Sequence, residues 1–169
     1  METWDAITSR RNVRDYTDQP VTAADLERIL EAGRRSPSSR NWQPWDFIVV
    51  TDRDQLARLA TVWRGAAHVA GSAATIALVA PADPATWDTA QYDLGQATMC
   101  MMLAAADLGI GSGHASVVDQ DRAREIFGLP EDRRCAYLMA LGYPADRPLR
   151  PVRSPRRRPL DEVVHDGRW

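Results

Sequence analysis

The sequence predicts an α+β sandwich, in which helices flank one mixed β-sheet. Short apolar runs bounded by turn residues have the length of buried strands, and longer segments repeat their apolar residues with helical spacing. The two kinds of segment follow one another irregularly, unlike the βαβ repeats of a doubly wound fold. With neither an internal repeat nor a domain linker in the sequence, we expect a single domain over 1–169, with a core over 4–144 and an extended C-terminal arm over 145–169.

Two helices are predicted before the first strand. Residues 3–9 have the composition of a short helix, and a second helix follows Thr22. Thr22 and Asp25 have the spacing of a capping box, with Asp in place of the usual Glu, and Pro37 ends this helix. The Ser-, Pro- and Asn-rich residues 36–45 are typical of a loop.

Three apolar runs are predicted to be buried strands, namely 46–51, 74–81 and 135–144. A helix over 52–63 separates the first two strands, and Asp52 is its expected N-cap.

Two further helices lie between the second and third strands. The first runs from about Trp87 to Leu108, and its centre is apolar nearly all round, so we expect it to be buried on most sides. The glycine-rich residues 109–119 are predicted to form a turn. Asp119 then caps a helix that ends at Gly128.

The composition indicates a soluble globular protein and limits its function. Hydrophobic residues make up 44% of the 169 residues and charged residues 26%, and the formal net charge is −2. A dedicated nucleic-acid binder is usually basic overall, so any positive patch must be local. The N-terminus lacks the apolar core of a signal peptide, and the apolar stretches are too short to span a bilayer. We therefore expect a cytoplasmic protein without nucleic-acid or membrane partners.

Neither a metal centre nor a disulfide is expected. Cys100 and Cys135 are the only cysteines, and a disulfide scaffold or metal site needs more ligands at closer spacing, so buried free thiols are favoured. His68, His114 and His165 are too far apart in sequence to indicate a metal centre.

The usual catalytic motifs are absent, so no side chain is predicted to be a catalytic residue. The sequence contains no P-loop, HExxH, GxSxG or CxxC motif. GIGSGH begins with alternating glycines, but it follows a helix rather than a strand, which is the wrong context for a dinucleotide fingerprint.

Two arginine clusters and one loop remain as candidates. SRRNVRDY, 9–16, contains three arginines, and SPRRRP, 154–159, contains three more. The loop PSSRNWQPW, 37–45, offers hydroxyls, an amide and backbone N–H groups. Taken alone, the first cluster is equally compatible with a solvated helix end, where arginines complement the negative pole of the helix dipole.

Together these segments resemble the FMN-dependent nitroreductase family. The resemblance begins with RRNVRDY and continues through SPSSRNWQPWDF, an Ala-rich helix that contains Gln96, LGIGS and LMALGYPA to RRRPLDEVVHDGRW, so it covers essentially the whole chain. Asn12 stands where the family usually has serine, and Arg35-Ser36 where alanine is common.

The resemblance implies a set of residues that bind FMN. The arginine clusters at both ends of the chain would converge on the phosphate, because buried phosphate requires charge-assisted donors. The loop would contact the flavin of the partner subunit, and two backbone N–H groups after the central helix would approach flavin N5 and O4. The implied set is Arg10, Arg11, Asn12, Arg14, Pro37, Ser38, Ser39, Asn41, Ser116, Val117, Arg156 and Arg158. Spacing alone leaves open which of Arg156, Arg157 and Arg158 contact the phosphate.

The resemblance also implies a function. A homodimer would bind one FMN at each interface site, NADH or NADPH would deliver hydride to the flavin, and an electron acceptor would then occupy the same pocket in a ping-pong mechanism. Nitroaromatics, quinones and similar conjugated electrophiles are the expected acceptors. The apolar residues of the C-terminal arm would be buried on the partner. A specialised flavoenzyme of the same fold, such as a dehalogenase, an oxidase or a flavin-fragmenting enzyme, and a non-catalytic flavin-binding module remain alternatives.

Overall fold

Four strands form one sheet in the computed structural model, which describes residues 1–169. The strands are β1 (Asp46–Val50), β2 (Ala74–Pro81), β3 (Gly111–Ser116) and β4 (Arg133–Gly142), in the spatial order β1-β2-β4-β3. Five α-helices accompany them, namely α1 (Thr3–Ser9), α2 (Ala23–Arg34), α3 (Arg53–Leu59), α4 (Trp87–Asp107) and α5 (Gln120–Phe127). Short 3₁₀ turns span Ser39–Asn41, Arg64–Gly71 and Leu160–Glu162.

Helices cover both faces of the sheet, which confirms the predicted α+β sandwich. One core lies between the sheet and α3, α5 and the Arg64–Gly71 turn, and the other lies between the sheet and α2 and α4. The central strand β2 serves both cores, because its side chains alternate between the two faces. Ala77 and Val79 enter the first core, and Ile76 and Leu78 enter the second.

The sheet is antiparallel between all neighbouring strands, so the prediction of a mixed sheet needs correction. The reason is the position of β4. Strands β2 and β3, joined by α4, run in the same direction, but β4 lies between them and opposes both. Parallel pairing is confined to an isolated bridge between Asn12 and Ser112.

The helix caps lie where the local sequence predicts them. The Thr22 hydroxyl accepts a hydrogen bond from the Asp25 backbone N–H at 3.1 Å, and Asp52 and Asp119 cap α3 and α5 in the same way. Gly128 ends α5 in the left-handed conformation that glycine adopts without steric cost. Because these interactions involve residues within a few positions of each other, the sequence is sufficient to predict them.

Two sequence-based predictions about strands were wrong. Residues 109–119 do not form a turn, because their central part is the edge strand β3. Its glycines serve close packing, since a Cβ atom on Gly113 would overlap the Val13 carbonyl oxygen. Strand β1 was predicted to be buried, but only Val50 is, because β1 is the opposite edge strand.

The remaining features concern the arm and the thiols. Residues 145–169 lie almost entirely on the surface, and Leu160–Glu162 is their only helical turn.

Both cysteines are free thiols. Cys135 is buried, which raises its pKa to about 12, whereas Cys100 is partly exposed. None of the helices is long and apolar enough to cross a membrane.

Candidate functional site

The two arginine clusters meet in one cavity of about 740 Å³. Arg10, Arg11 and Asn12 line it from the segment after α1, and Arg156 and Arg157 line it from the C-terminal arm. These clusters are more than 140 residues apart in the sequence, so the fold brings them together. We refer to this space as the arginine cavity.

Arg11 attaches the arm to the core. Its Nη2 donates to Asp146 Oδ1 at 2.6 Å and to the Arg147 carbonyl oxygen at 2.8 Å. The hydrogen bond from Arg11 holds the pKa of the Asp146 carboxyl below its usual range. A second tie is the Val152 backbone N–H, which donates to the Thr8 carbonyl oxygen at 3.1 Å. Arg11 is thus engaged within the protein, while Arg10 and Arg156 form no salt bridge.

Arg158 differs from its expected placement. It does not line the arginine cavity, because its Nη2 donates to the Glu162 carbonyl oxygen at 2.7 Å and its Nε lies 3.3 Å from a carboxylate oxygen of Glu162. The two residues are four positions apart: Arg158 precedes the short Leu160–Glu162 turn, and Glu162 ends it. Arg157 lies in the cavity wall in its place, beside Arg156.

A second cavity, of about 540 Å³, adjoins the first, and Met99 lines both. Arg14 lies in the wall of this second space, which we call the ring cavity, together with several apolar and aromatic residues. Its other lining residues are Trp63, Gln91, Gly95, Thr98, Met102, His114, Ser116 and Tyr137. Arginines thus line both adjoining cavities, and aromatic side chains line only the ring cavity.

Strand β3 forms one wall of the ring cavity. It pairs with β4 on one side only, and its other edge meets the Val13 segment near Ser112. Two residues apart along this strand, His114 and Ser116 both line the cavity, as the alternation of side chains in a strand requires. Val117, the neighbour of Ser116, has its side chain buried in the core between the sheet and α5.

His114 lines the ring cavity, although the sequence did not predict it as a site residue. Desolvation lowers its pKa below the usual range, and the positive charges of Arg10 and Arg14 and the neighbouring His68 lower it further. Desolvation also lowers the pKa of His68. The two imidazoles therefore favour their neutral forms near pH 7. The sequence signal that points to His114 is its i, i+2 spacing from Ser116, which is visible only once β3 is known to be a strand.

The Pro37–Asn41 segment, like Arg158 and Val117, lines neither cavity. The Ser39 backbone N–H donates to both carboxylate oxygens of Asp93, at 3.1 and 3.0 Å, and the Ser38 hydroxyl accepts from the Gln43 backbone N–H at 2.9 Å. Within one chain, therefore, the fold gathers Asn12, Ser116 and all the predicted arginines except Arg158 at the two cavities but leaves this loop apart from them.

The donors of the two cavities suit FMN better than a metal ion. Guanidinium groups bind phosphate through pairs of hydrogen bonds, and a partly apolar cavity with aromatic residues in its wall suits an isoalloxazine ring. No group of three or more His, Cys, Asp or Glu side chains is placed to hold a metal ion.

Comparisons with known proteins agree with this geometry. The model of the Nitroreductase family matches residues 7–80 and 60–143. A relative from Archaeoglobus fulgidus, provisionally named an NADH dehydrogenase/NAD(P)H nitroreductase, is 36% identical over 148 residues, which is 83% of this chain and 84% of the relative. The FMN reductase [NAD(P)H] of Bacillus subtilis is 26% identical over 174 residues, 89% of this chain and 69% of that protein. Among solved structures, nitroreductase A of Vibrio parahaemolyticus superposes with a TM-score of 0.87 at 25% identity, covering 100% of this chain and 77% of the other.

Proposed function

The chain belongs to the nitroreductase family, and from this membership we propose that it is an FMN-dependent oxidoreductase that uses NAD(P)H to reduce nitroaromatics, quinones or similar conjugated electrophiles. The observation that carries the proposal is the pair of adjoining cavities, one lined by several arginines and the other by a mixture of polar, apolar and aromatic side chains. The names of its relatives support the same activity, because they include an NAD(P)H nitroreductase and an FMN reductase.

The arginine cavity would hold the phosphate of FMN. Arg10 and Arg156 form no salt bridge with the chain's own carboxylates, so their guanidinium groups are free to donate to a dianion. Arg11 is in the same wall, but its bonds to Asp146 and Arg147 give it the additional task of holding the arm in place. Asn12 has an amide that both donates and accepts, and so suits the ribityl hydroxyls.

The ring cavity would hold the isoalloxazine. When bound, FMN supplies the redox chemistry, as hydride acceptor from NAD(P)H and hydride donor to the second substrate. Trp63 and Met102 add apolar surface to the lining of this space. Ser116, at the end of β3, and Arg14 line this space, where backbone N–H groups and positive charge would stabilise negative charge on the flavin. The residues of this chain would therefore orient the flavin and stabilise its negative charge, and no side chain needs to act as a nucleophile.

The proposed enzyme is a homodimer. Large apolar side chains are exposed on α1 and α4, where Trp4 is 72% exposed and Tyr92 69%, and Ile7 and Met99 are exposed as well. The arm adds Leu160, which is 75% exposed. Large exposed apolar surfaces of this kind mark protein–protein interfaces, and a second copy of the chain would bury them.

Steady-state kinetics test the proposed reaction. Initial rates would be measured with FMN-loaded protein while NADH or NADPH is varied at several fixed concentrations of a nitroaromatic or a quinone. The proposal predicts turnover with parallel double-reciprocal lines, because both substrates use one pocket in succession. Intersecting lines would contradict the ping-pong mechanism, and an FMN-loaded protein that turns over none of these acceptors would indicate a specialised or non-catalytic relative.

A further inference from the structure

Asp93 is a fully buried carboxylate whose partners lie in a distant loop. It lies in the N-terminal third of α4 with no exposed surface, and it accepts from the Ser39 backbone N–H through both oxygens. Its Oδ1 also accepts from the Ser39 hydroxyl at 3.2 Å and from Gln96 Nε2 at 3.3 Å. A buried charge is tolerated only when its lone pairs are satisfied, and Ser39 supplies most of the donors.

The loop that Asp93 holds has an unusual backbone. Arg40, Asn41 and Gln43 have φ values of 53°, 58° and 54°, in the left-handed region that residues other than glycine rarely adopt. Each such residue costs roughly 1 kcal/mol or more, so the loop requires anchors to keep this shape. Bonds within the loop, such as the one between Gln43 and Ser38, provide local anchors, and the Asp93–Ser39 bonds attach the loop to α4.

Asp93 points away from the cavities of its own chain. Successive residues of an α-helix are rotated by about 100°, which places Asp93 nearly opposite Gln91, Gly95 and Met102. Those three residues line the ring cavity. The helix therefore separates the loop from the ring cavity of the same chain.

We propose that Asp93 is a positioning residue that acts across the dimer: it fixes the Ser38–Gln43 loop so that the loop completes the FMN site of the other subunit. The inference rests on the proposed function. The loop carries hydroxyl, amide and backbone donors suited to a flavin, and it is held on the face of α4 remote from its own ring cavity. Helix α4 would then serve two sites, with one face forming its own subunit's cavity and the opposite face holding the loop for its partner.

Three variants and one control test this role by FMN titration. Asp93→Ala removes all four accepted bonds, and we expect it to raise the Kd for FMN roughly 10- to 100-fold. Asp93→Asn keeps the shape and one acceptor, and Ser39→Ala removes only the hydroxyl, so both should have smaller effects. Asp107→Asn is the matched control, because Asp107 lies on the same helix but bonds to Arg28 and the N-terminal amine. Its Kd for FMN should equal that of the wild type.

Mixed dimers separate a role in the partner's site from a general loss of stability. Two differently tagged chains would be co-expressed, and the mixed dimers purified through both tags. When one chain carries Asp93→Ala and the other carries Arg10→Ala, both defects fall in the same site, so the dimer should bind one FMN with wild-type affinity. When one chain carries both substitutions and the other is wild type, each site has one defect, and no site of wild-type affinity should remain. Asp93→Asn replaces Asp93→Ala in this design if the alanine variant does not fold.

The possible outcomes are distinct. The reversed pattern, with an intact site only when both substitutions share a chain, would overturn the proposal by showing that Asp93 serves its own subunit. Wild-type FMN affinity in Asp93→Ala, or a monomeric FMN-loaded wild type, would overturn it as well. A wild-type protein that binds no FMN would instead refute the proposed function on which the inference rests.

Discussion

The backbone N–H of Val13 donates to the carbonyl oxygen of Ser112 at 2.9 Å, and this bond ties the arginine segment to the outer edge of β3. The contact is close because Gly111 and Gly113 leave no side chain between the two backbones. Tyr16 strengthens the junction, since its hydroxyl donates to the Val13 carbonyl oxygen at 2.7 Å. The relative positions of the arginines and the ring cavity therefore depend on this junction.

Gly113→Ala should lower both the free energy of unfolding and the affinity for FMN. The added methyl group would overlap the Val13 carbonyl oxygen, which is backbone and cannot rotate away. Overpacking of this kind costs about 1–3 kcal/mol in the free energy of unfolding, which urea denaturation would measure. Gly71→Ala is the control, because a Cβ atom at Gly71 meets nothing within 4 Å. Equal stability of the two variants would contradict the role assigned to Gly113.

Arg10→Ala should raise the Kd for FMN roughly 10- to 100-fold, since charge-assisted hydrogen bonds to phosphate are lost. The structure gives Arg10 no salt-bridge partner, so the substitution leaves no buried carboxylate behind. Fluorescence titration with FMN would measure the affinity, and the effect should shrink for riboflavin, which lacks the phosphate. Arg122→Ala, on α5 and outside both cavities, serves as the control. A variant that loses riboflavin and FMN affinity equally would place Arg10 elsewhere than at the phosphate.

His114 should contribute to acid sensitivity of the protein without FMN. Burial, Arg10 and Arg14 lower its pKa, so between its folded and unfolded pKa values the unfolded chain binds more protons. The free energy of unfolding must then decrease as the pH falls below the unfolded value of about 6.5. His114→Gln should therefore lose less stability than the wild type between pH 7 and pH 5, as measured by urea midpoints. His165→Gln, in the exposed arm, is the control, and an unchanged pH dependence in His114→Gln would contradict the prediction.

Deletion of residues 154–169 should cost both FMN and the dimer. The deletion removes Arg156 from the arginine cavity and takes away the exposed apolar residues Leu160 and Val164. Light scattering with size-exclusion chromatography would report the mass, and absorbance would report the flavin content. A truncated protein that remains dimeric and retains FMN would refute the role proposed for the arm.

Much of the fold follows from local sequence. The predictions that were wrong concern features that depend on the tertiary structure. The caps at Thr22, Asp52 and Asp119 were predicted because each involves residues three positions apart. Strand β3 was missed because glycine is ambiguous: it marks a turn or a close approach of two backbones, and only the tertiary structure distinguishes them.

The candidate site likewise combines features that were predicted from the sequence with features that only the fold determines. The arginines at the two ends of the chain were assigned through a family resemblance, and the fold brings Arg10, Arg11 and Arg156 to one cavity. The pairing of Arg158 with Glu162 and the placement of Arg157 in the wall depend on the conformation of the arm, which local patterns do not determine. Interactions such as Asp93–Ser39, which join residues 54 positions apart, leave no local signature at all.

The most direct test of the FMN-dependent NAD(P)H oxidoreductase is a visible absorption spectrum of the purified protein, supplemented with FMN and freed of excess, before and after anaerobic addition of NADH or NADPH. The account predicts bound flavin absorbance that bleaches with at least one reduced nicotinamide. A protein that retains no FMN would contradict the assignment of the two cavities, and a flavin that neither nucleotide bleaches would contradict the proposed reaction.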